Sequence, residues 1–134
     1  MSSFTELVQG LRVAFRSGKT KTFEWRKQQL EGVLKLLDEN REEIALALNK
    51  DLHKPKLEAI VFEIDYCRND LIDTINNLKE WMNPEKVKKN MLNLMDTAYI
   101  QKEPFGVALI IGAWNYPIQL TIMPVFGALA AGTL

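Results

Sequence analysis

Gly106-Val107-Ala108-Leu109-Ile110-Ile111-Gly112-Ala113-Trp114-Asn115-Tyr116-Pro117 is the stretch on which the reading of this chain turns. An aliphatic run between two glycines, too short for a helix, reads as a strand buried on both faces. Tyr116-Pro117 then opens a helix in which Ile118, Ile122, Val125, Phe126 and Leu129 recur at helical spacing, thickened by Leu120 and Met123. That helix is apolar nearly all round and is expected to be sandwiched, with Pro124 bending it and Gly132 stopping it. Between strand and helix lies a polar corner. In open α/β sheets ligands bind beyond the carboxyl ends of the strands, so Asn115 has access to a ligand from a rigid mount. An asparagine in a corner has a second reading, as a turn residue whose side chain bonds its own backbone.

Working outward, Thr133 and Leu134 fall where a following strand should begin, so the pattern ends inside a β-α-β unit with an unpaired edge. Upstream, Leu94 to Lys102 alternate loosely, with Met95, Thr97 and Tyr99 on one face, and read as an arm strand. Lys86, Lys88 and Lys89 form a basic linker without interleaved aromatics, a solvated connection or a charge-guarded edge rather than a nucleic-acid patch.

The first 83 residues read as helices. Ser3-Phe4-Thr5-Glu6 has the form of a capping box, followed by an apolar stripe through Leu7, Val8, Leu11 and Phe15 and a stop at Gly18. Thr20 to Thr22 open a second helical segment, in which the stripe Trp25, Leu30, Val33, Leu34, Leu37 leaves Arg26, Lys27, Gln28 and Glu31 facing away. Asn40 could cap a restart, so one helix or two fit this region equally. Pro55 suits a helix start, and Leu57, Ile60, Val61, Ile64, Leu71, Ile75, Leu78 and Met82 mark a long stripe ending at Asn83-Pro84.

The 134 residues fit one domain, and 17 basic against 17 acidic side chains leave no electrostatic footprint for nucleic acid. One cysteine and one histidine offer neither an internal disulfide nor a metal cluster, and residues 1–17 lack the apolar core of a signal peptide, so an intracellular, metal-free protein is expected. Cys67 lies mid-helix near the apolar face and reads as a packed thiol. His53 reads as a surface or capping group. From Pro104 onward no residue is charged, which raises a membrane hairpin; Asn115, Gln119, Pro117 and Pro124 interrupt any span of about 20 apolar residues and argue against it.

Lys102-Glu103-Pro104-Phe105-Gly106-Val107, Trp114-Asn115-Tyr116-Pro117 and Gly127-Ala128-Leu129-Ala130-Ala131-Gly132 resemble the start of the cofactor domain of class 3 aldehyde dehydrogenases. Asp51-Leu52-His53-Lys54 and Asn77-Leu78-Lys79-Glu80-Trp81-Met82 are similar to that class too, nearer its membrane-associated fatty-aldehyde branch. The resemblance implies an α/β fold: N-terminal helices (1–83), a linker and arm strand (84–103), and the first strand and helix (104–134) of a truncated Rossmann-like NAD(P)-binding domain. It implies oxidation of an aldehyde, of medium or long chain, to a carboxylic acid with NAD or NADP through a cysteine thiohemiacetal. Asn115 then corresponds to the amide that stabilises the oxyanion, and Ile111, Gly112, Ala113 and Trp114 to the corner passed by the nicotinamide side of the cofactor. A homodimer when full length, in the cytoplasm, with membrane association through a missing C-terminal region, is also implied.

The family's nucleophilic cysteine, general-base glutamate and Lys-Pro-Ser-Glu segment have no counterpart here, and Cys67 does not match the nucleophile. The expectation is therefore an enzyme part inactive by itself. The alternative from another class is a non-enzymatic interaction fragment that docks on full-length subunits through its unpaired strand.

Overall fold

The computed structural model describes residues 3–88, 90, 91 and 95–134. Helix α1 (Phe4–Arg16) carries the expected capping box: the Glu6 N–H donates to Ser3 Oγ and the Ser3 N–H to the Glu6 carboxylate. Gly18 adopts the left-handed conformation (φ 77°) just past its end and leads into a 3-10 turn, Lys19–Lys21. Thr22 caps α2 (Phe23–Glu39) by accepting from the Trp25 N–H.

The region after α2 resolves into two helices, with α3 (Arg41–Leu52) restarting at Asn40. The Asn40 side chain does not cap α3; it donates backward to the Leu36 carbonyl and serves the end of α2. His53, exposed, closes α3 in the left-handed conformation (φ 53°), so of the surface and capping roles read for it the capping is at the end of the helix before it.

After Pro55 the chain runs through one turn of α4 (Lys56–Glu58), a π-helical segment (Ala59–Asp65) and α5 (Tyr66–Trp81). The wider π turns absorb an extra residue and rotate everything before them relative to α5. Ala59, Glu63 and Ile64 consequently face inward, while Leu57, expected on the buried stripe, is 74% exposed and Val61 also faces solvent.

Two short strands follow, β1 (Glu85–Lys86) and β2 (Tyr99–Ile100), paired antiparallel with Glu85 opposite Ile100 and tied by a 2.5 Å Lys102–Glu85 ion pair. Of the basic linker, Lys86 lies in a charged strand edge and Lys88 in the connection after it, and the arm strand is shorter than 94–102; Lys89 and Leu94 lie outside the described residues. Helix α6 (Gln119–Ala131) contains Pro124 and ends at left-handed Gly132.

Leu30 and Leu37 of α2, Cys67, Leu71 and Leu78 of α5 and Phe126 of α6 form the main core, and Ala45, Leu48, Ala59 and Ile64 a second cluster. Ile118, at the head of α6, packs against both. Two sequence expectations give way here. Arg26 does not face solvent: it is buried, donating from Nε to the Thr20 carbonyl (3.1 Å) and from Nη1 to the Ala130 carbonyl (3.0 Å). Carbonyls at a helix end lack intrahelical partners, and a forked guanidinium satisfies one while holding the 3-10 turn against α6. Helix α6 is covered on the side facing α2 and α5, but Leu120, Pro124, Gly127 and Ala131 are exposed.

Residues 107–111 do not form a strand buried on both faces, since Leu109 is 85% and Ile111 83% exposed. A parallel strand needs neighbours for its N–H and C=O groups. Among the described residues the partner is Leu134, whose N–H donates to the Gly106 carbonyl (2.9 Å) and whose carbonyl accepts from the Ala108 N–H (2.7 Å). That is the bond pattern of a parallel pair with Leu134 opposite Val107, so the β-α-β return read in the sequence begins where expected.

Candidate functional site

The corner at 111–117 is built by its two flanks. On one side the chain leaves the Val107–Leu134 pairing; on the other, α6 starts as the Tyr116 carbonyl accepts from the Leu120 N–H (2.9 Å) and the Ile118 carbonyl from the Ile122 N–H (2.8 Å). Pro117 fits the first turn of a helix because its missing N–H would have no partner there. Gly112 is dictated by close approach, as a Cβ on it would stand 1.9 Å from Thr121 Oγ1 and 3.2 Å from Thr121 Cβ. The corner therefore lies directly against α6.

Asn115 sits at the tip of this corner, exposed, and its side chain makes no hydrogen bond among the described residues. Ile111, Gly112, Ala113 and Trp114 lie beside it, all exposed, with Trp114 at 78%. The backbone N–H groups of these four make no hydrogen bond among the described residues. Open backbone donors, two small residues and two exposed apolar side chains fit the edge of a nucleotide, which needs close approach and an apolar wall.

Beneath the corner lies a group that sequence reasoning passed over. Glu63, in the π segment, is fully buried and pairs with Lys54, itself buried. The other Glu63 oxygen accepts from the Ile118 N–H (2.8 Å) and, at 3.5 Å, from the Gln119 N–H. Helix α6 has no cap from its own N-cap residue, so this distant carboxylate fills that place, the favourable sign of charge for a helix N-terminus. The Lys54 ammonium also stands 3.7 Å from the centroid of the Tyr116 ring. One signal in the sequence pointed to this: Glu63 is a lone charge within Ile60-Val61-Phe62-Glu63-Ile64.

Four further titratable groups are shifted by burial or by fixed partners within the helical layer. Burial pushes the Cys67 thiol up to about 11, aided by the negative charges of Glu63 and Asp70, so at neutral pH it is a protonated core side chain. Hydrogen bonding to Arg41 holds the Asp65 carboxyl below the usual range, and the same contact raises Arg41. Burial lowers Arg26, with the charge of Glu103 opposing. Among the described residues no group of His, Cys, Asp and Glu could hold a metal ion.

The sequence profile of the aldehyde dehydrogenase family matches residues 3–134. Aldehyde dehydrogenase family 3 member B1 of Mus musculus is 46% identical over 132 residues, which cover 98% of this chain and 28% of that protein. The dimeric, NADP-preferring aldehyde dehydrogenase of Canis lupus familiaris is 44% identical over 98% of this chain and 29% of its own length. The chloroplastic family 3 member I1 of Arabidopsis thaliana is 45% identical over 94% of this chain and 23% of its own. Among solved structures, the substrate-bound state of Staphylococcus aureus AldH superimposes with a TM-score of 0.95 at 33% identity, over 99% of this chain and 29% of that one.

Proposed function

This chain belongs to the aldehyde dehydrogenase family, and from that premise we propose that it supplies the oxyanion corner and the nicotinamide-side wall of an NAD(P)-dependent enzyme oxidising aldehydes to carboxylic acids. The observation that carries the reading is Asn115: an amide with no partner among the described residues, on a corner fixed by α6 and bounded by open backbone donors. In the reaction, attack of a thiolate on the aldehyde carbonyl leaves negative charge on oxygen. The Asn115 Nδ2 donates to that oxygen, and a donor fixed in advance contributes on the order of 10²- to 10³-fold in rate. Ile111, Gly112, Ala113 and Trp114 would border the cofactor, which supplies a hydride acceptor when bound.

The only thiol in the 134 residues is the buried Cys67, so the nucleophile in this reading comes from outside them, and the isolated chain is expected to be inactive. The exposed apolar positions Leu109, Ile111 and Trp114 suit contacts with such surrounding structure. For the assembled enzyme we propose a homodimer, in keeping with the dimeric dog relative, acting on medium- or long-chain aldehydes in the cytoplasm or at a membrane surface. No helix among the described residues is long and apolar enough to cross a membrane.

The test is a chimera in which residues 3–134 replace the aligned segment of mouse family 3 member B1, assayed with hexanal and either NAD or NADP. The chimera is expected to oxidise hexanal, and Asn115→Ala to lower kcat by on the order of 10²- to 10³-fold with little change in KM. A folded chimera without activity, or an Asn115→Ala variant with unchanged kcat, would refute the reading. Oxidation of hexanal by the 134-residue chain alone would refute its dependence on a missing thiolate, and co-purification of that chain with intact subunits, without effect on their activity, would favour a docking fragment instead.

A further inference from the structure

We propose that the buried Lys54–Glu63 pair is a positioning device for Asn115, acting through the head of α6 and the Tyr116 ring; this rests on the reading of Asn115 as the oxyanion donor. Three observations converge. Glu63 takes two successive N–H groups at the start of α6, three and four residues after Asn115, so it fixes both the position and the direction of the chain leaving the corner. Lys54 neutralises that carboxylate and lies over the ring of Tyr116, the residue next to Asn115. Ile118, whose N–H is captured, is also, with Ile44, one of two side chains that pack against both hydrophobic clusters.

Stability alone is a weak reason for this arrangement. A buried ion pair can often be replaced by apolar side chains of similar volume with no loss, or with a gain. Its distinguishing product is geometry: a charge-assisted bond of defined length to one backbone N–H, reached from a π-helical segment whose wide turns aim Glu63 inward. Neither residue is placed to meet the substrate. An error of about 1 Å in the placement of a catalytic group can cost on the order of 10²-fold in rate.

The test uses the same intact chimera. Lys54→Met with Glu63→Leu removes both charges and the acceptor while keeping apolar volume. Lys54→Met with Glu63→Gln removes both charges but keeps an oxygen for the Ile118 N–H. The Met/Leu variant is expected to lower kcat on hexanal by about 10- to 100-fold, leaving KM for the cofactor and the unfolding temperature near those of the parent. The Met/Gln variant should recover most of the lost kcat. In an Asn115→Ala background neither should lower kcat further, because the pair acts through Asn115. Should the Met/Leu variant fail to fold, Glu63→Asp, which keeps the charge but withdraws it from Ile118, must lower kcat with the same silence in that background. Unchanged kcat in these variants, or an equal loss with and without Asn115, would overturn the proposal. If Asn115→Ala itself leaves kcat unchanged, the oxyanion reading fails and this proposal falls with it. If only the pair variants are silent, the oxyanion reading stands and this proposal alone falls.

Discussion

Replacing Gly132 by alanine tests how the end of α6 is held. Gly132 lies at φ 82°, where an added Cβ strains the backbone by about 1–2 kcal/mol. The same Cβ would stand 2.5 Å from Arg26 Nη2, 2.7 Å from Cζ and 2.8 Å from Nε, so the guanidinium must retreat by roughly 0.9 Å to reach an ordinary 3.4 Å contact. Arg26 is not free to retreat, because Nε and Nη1 are committed to the Thr20 and Ala130 carbonyls at 3.1 and 3.0 Å. Losing one such charged hydrogen bond costs about 1.5–3 kcal/mol, so Gly132→Ala should lower stability by about 2.5–5 kcal/mol in all. In an Arg26→Ala background the clash disappears and only the backbone strain of about 1–2 kcal/mol should remain. Urea unfolding of the four proteins of this cycle, followed by far-ultraviolet circular dichroism, measures both quantities. Equal losses in the two backgrounds, or a loss below about 1 kcal/mol in the first, would refute the reasoning.

Three further outcomes follow from the same structure. Gly112→Ala should destabilise by about 1–3 kcal/mol, since rotating Thr121 removes its Oγ1 from 1.9 Å but leaves its Cβ at 3.2 Å; a neutral effect in thermal unfolding would show that the corner does not pack on α6. Cys67 should resist a thiol reagent in the native chain at pH 8 and react once urea unfolds it. Its folded value near 11 lies above the unfolded one, so its contribution to stability is full below about pH 8.5 and is lost as pH rises through 11; Cys67→Ala should abolish that alkaline component. Asp65 has the opposite sign. Its folded value is depressed by Arg41, so its contribution is present above about pH 4 and lost as pH falls, and Asp65→Asn should flatten the acid limb of a stability-versus-pH curve.

Local chemistry was legible wherever partners lie within a turn or two. The Ser3–Glu6 capping box, Gly18 and Gly132 as left-handed stops and the break at Pro55 depend on residues close along the chain, so local pattern alone reveals them. Asn115 was legible as a candidate for a similar reason: a polar corner between an apolar run and a helix start is a local pattern. Leu57 was misread because a π segment changes the period of the helix, and periodicity cannot signal its own interruption.

Arg26 and Glu63 show where the sequence stops speaking. Each is a charged residue in a segment whose average character predicts a solvated face or an apolar stripe, and each joins a near partner, Thr20 for Arg26 and Lys54 for Glu63, to one far along the chain, Ala130 and Ile118. A buried charge is tolerable only when paired, and such pairing is a property of the assembled helices rather than of any window of sequence. By itself, then, the sequence determined the helical character of the first 83 residues, the capping box and left-handed stops that local spacing sets, and the one amide placed at a corner. Only the tertiary structure decided that this corner is anchored from below by Lys54 and Glu63, because the helix N-terminus they hold and the π turn that aims them meet only after the chain has folded.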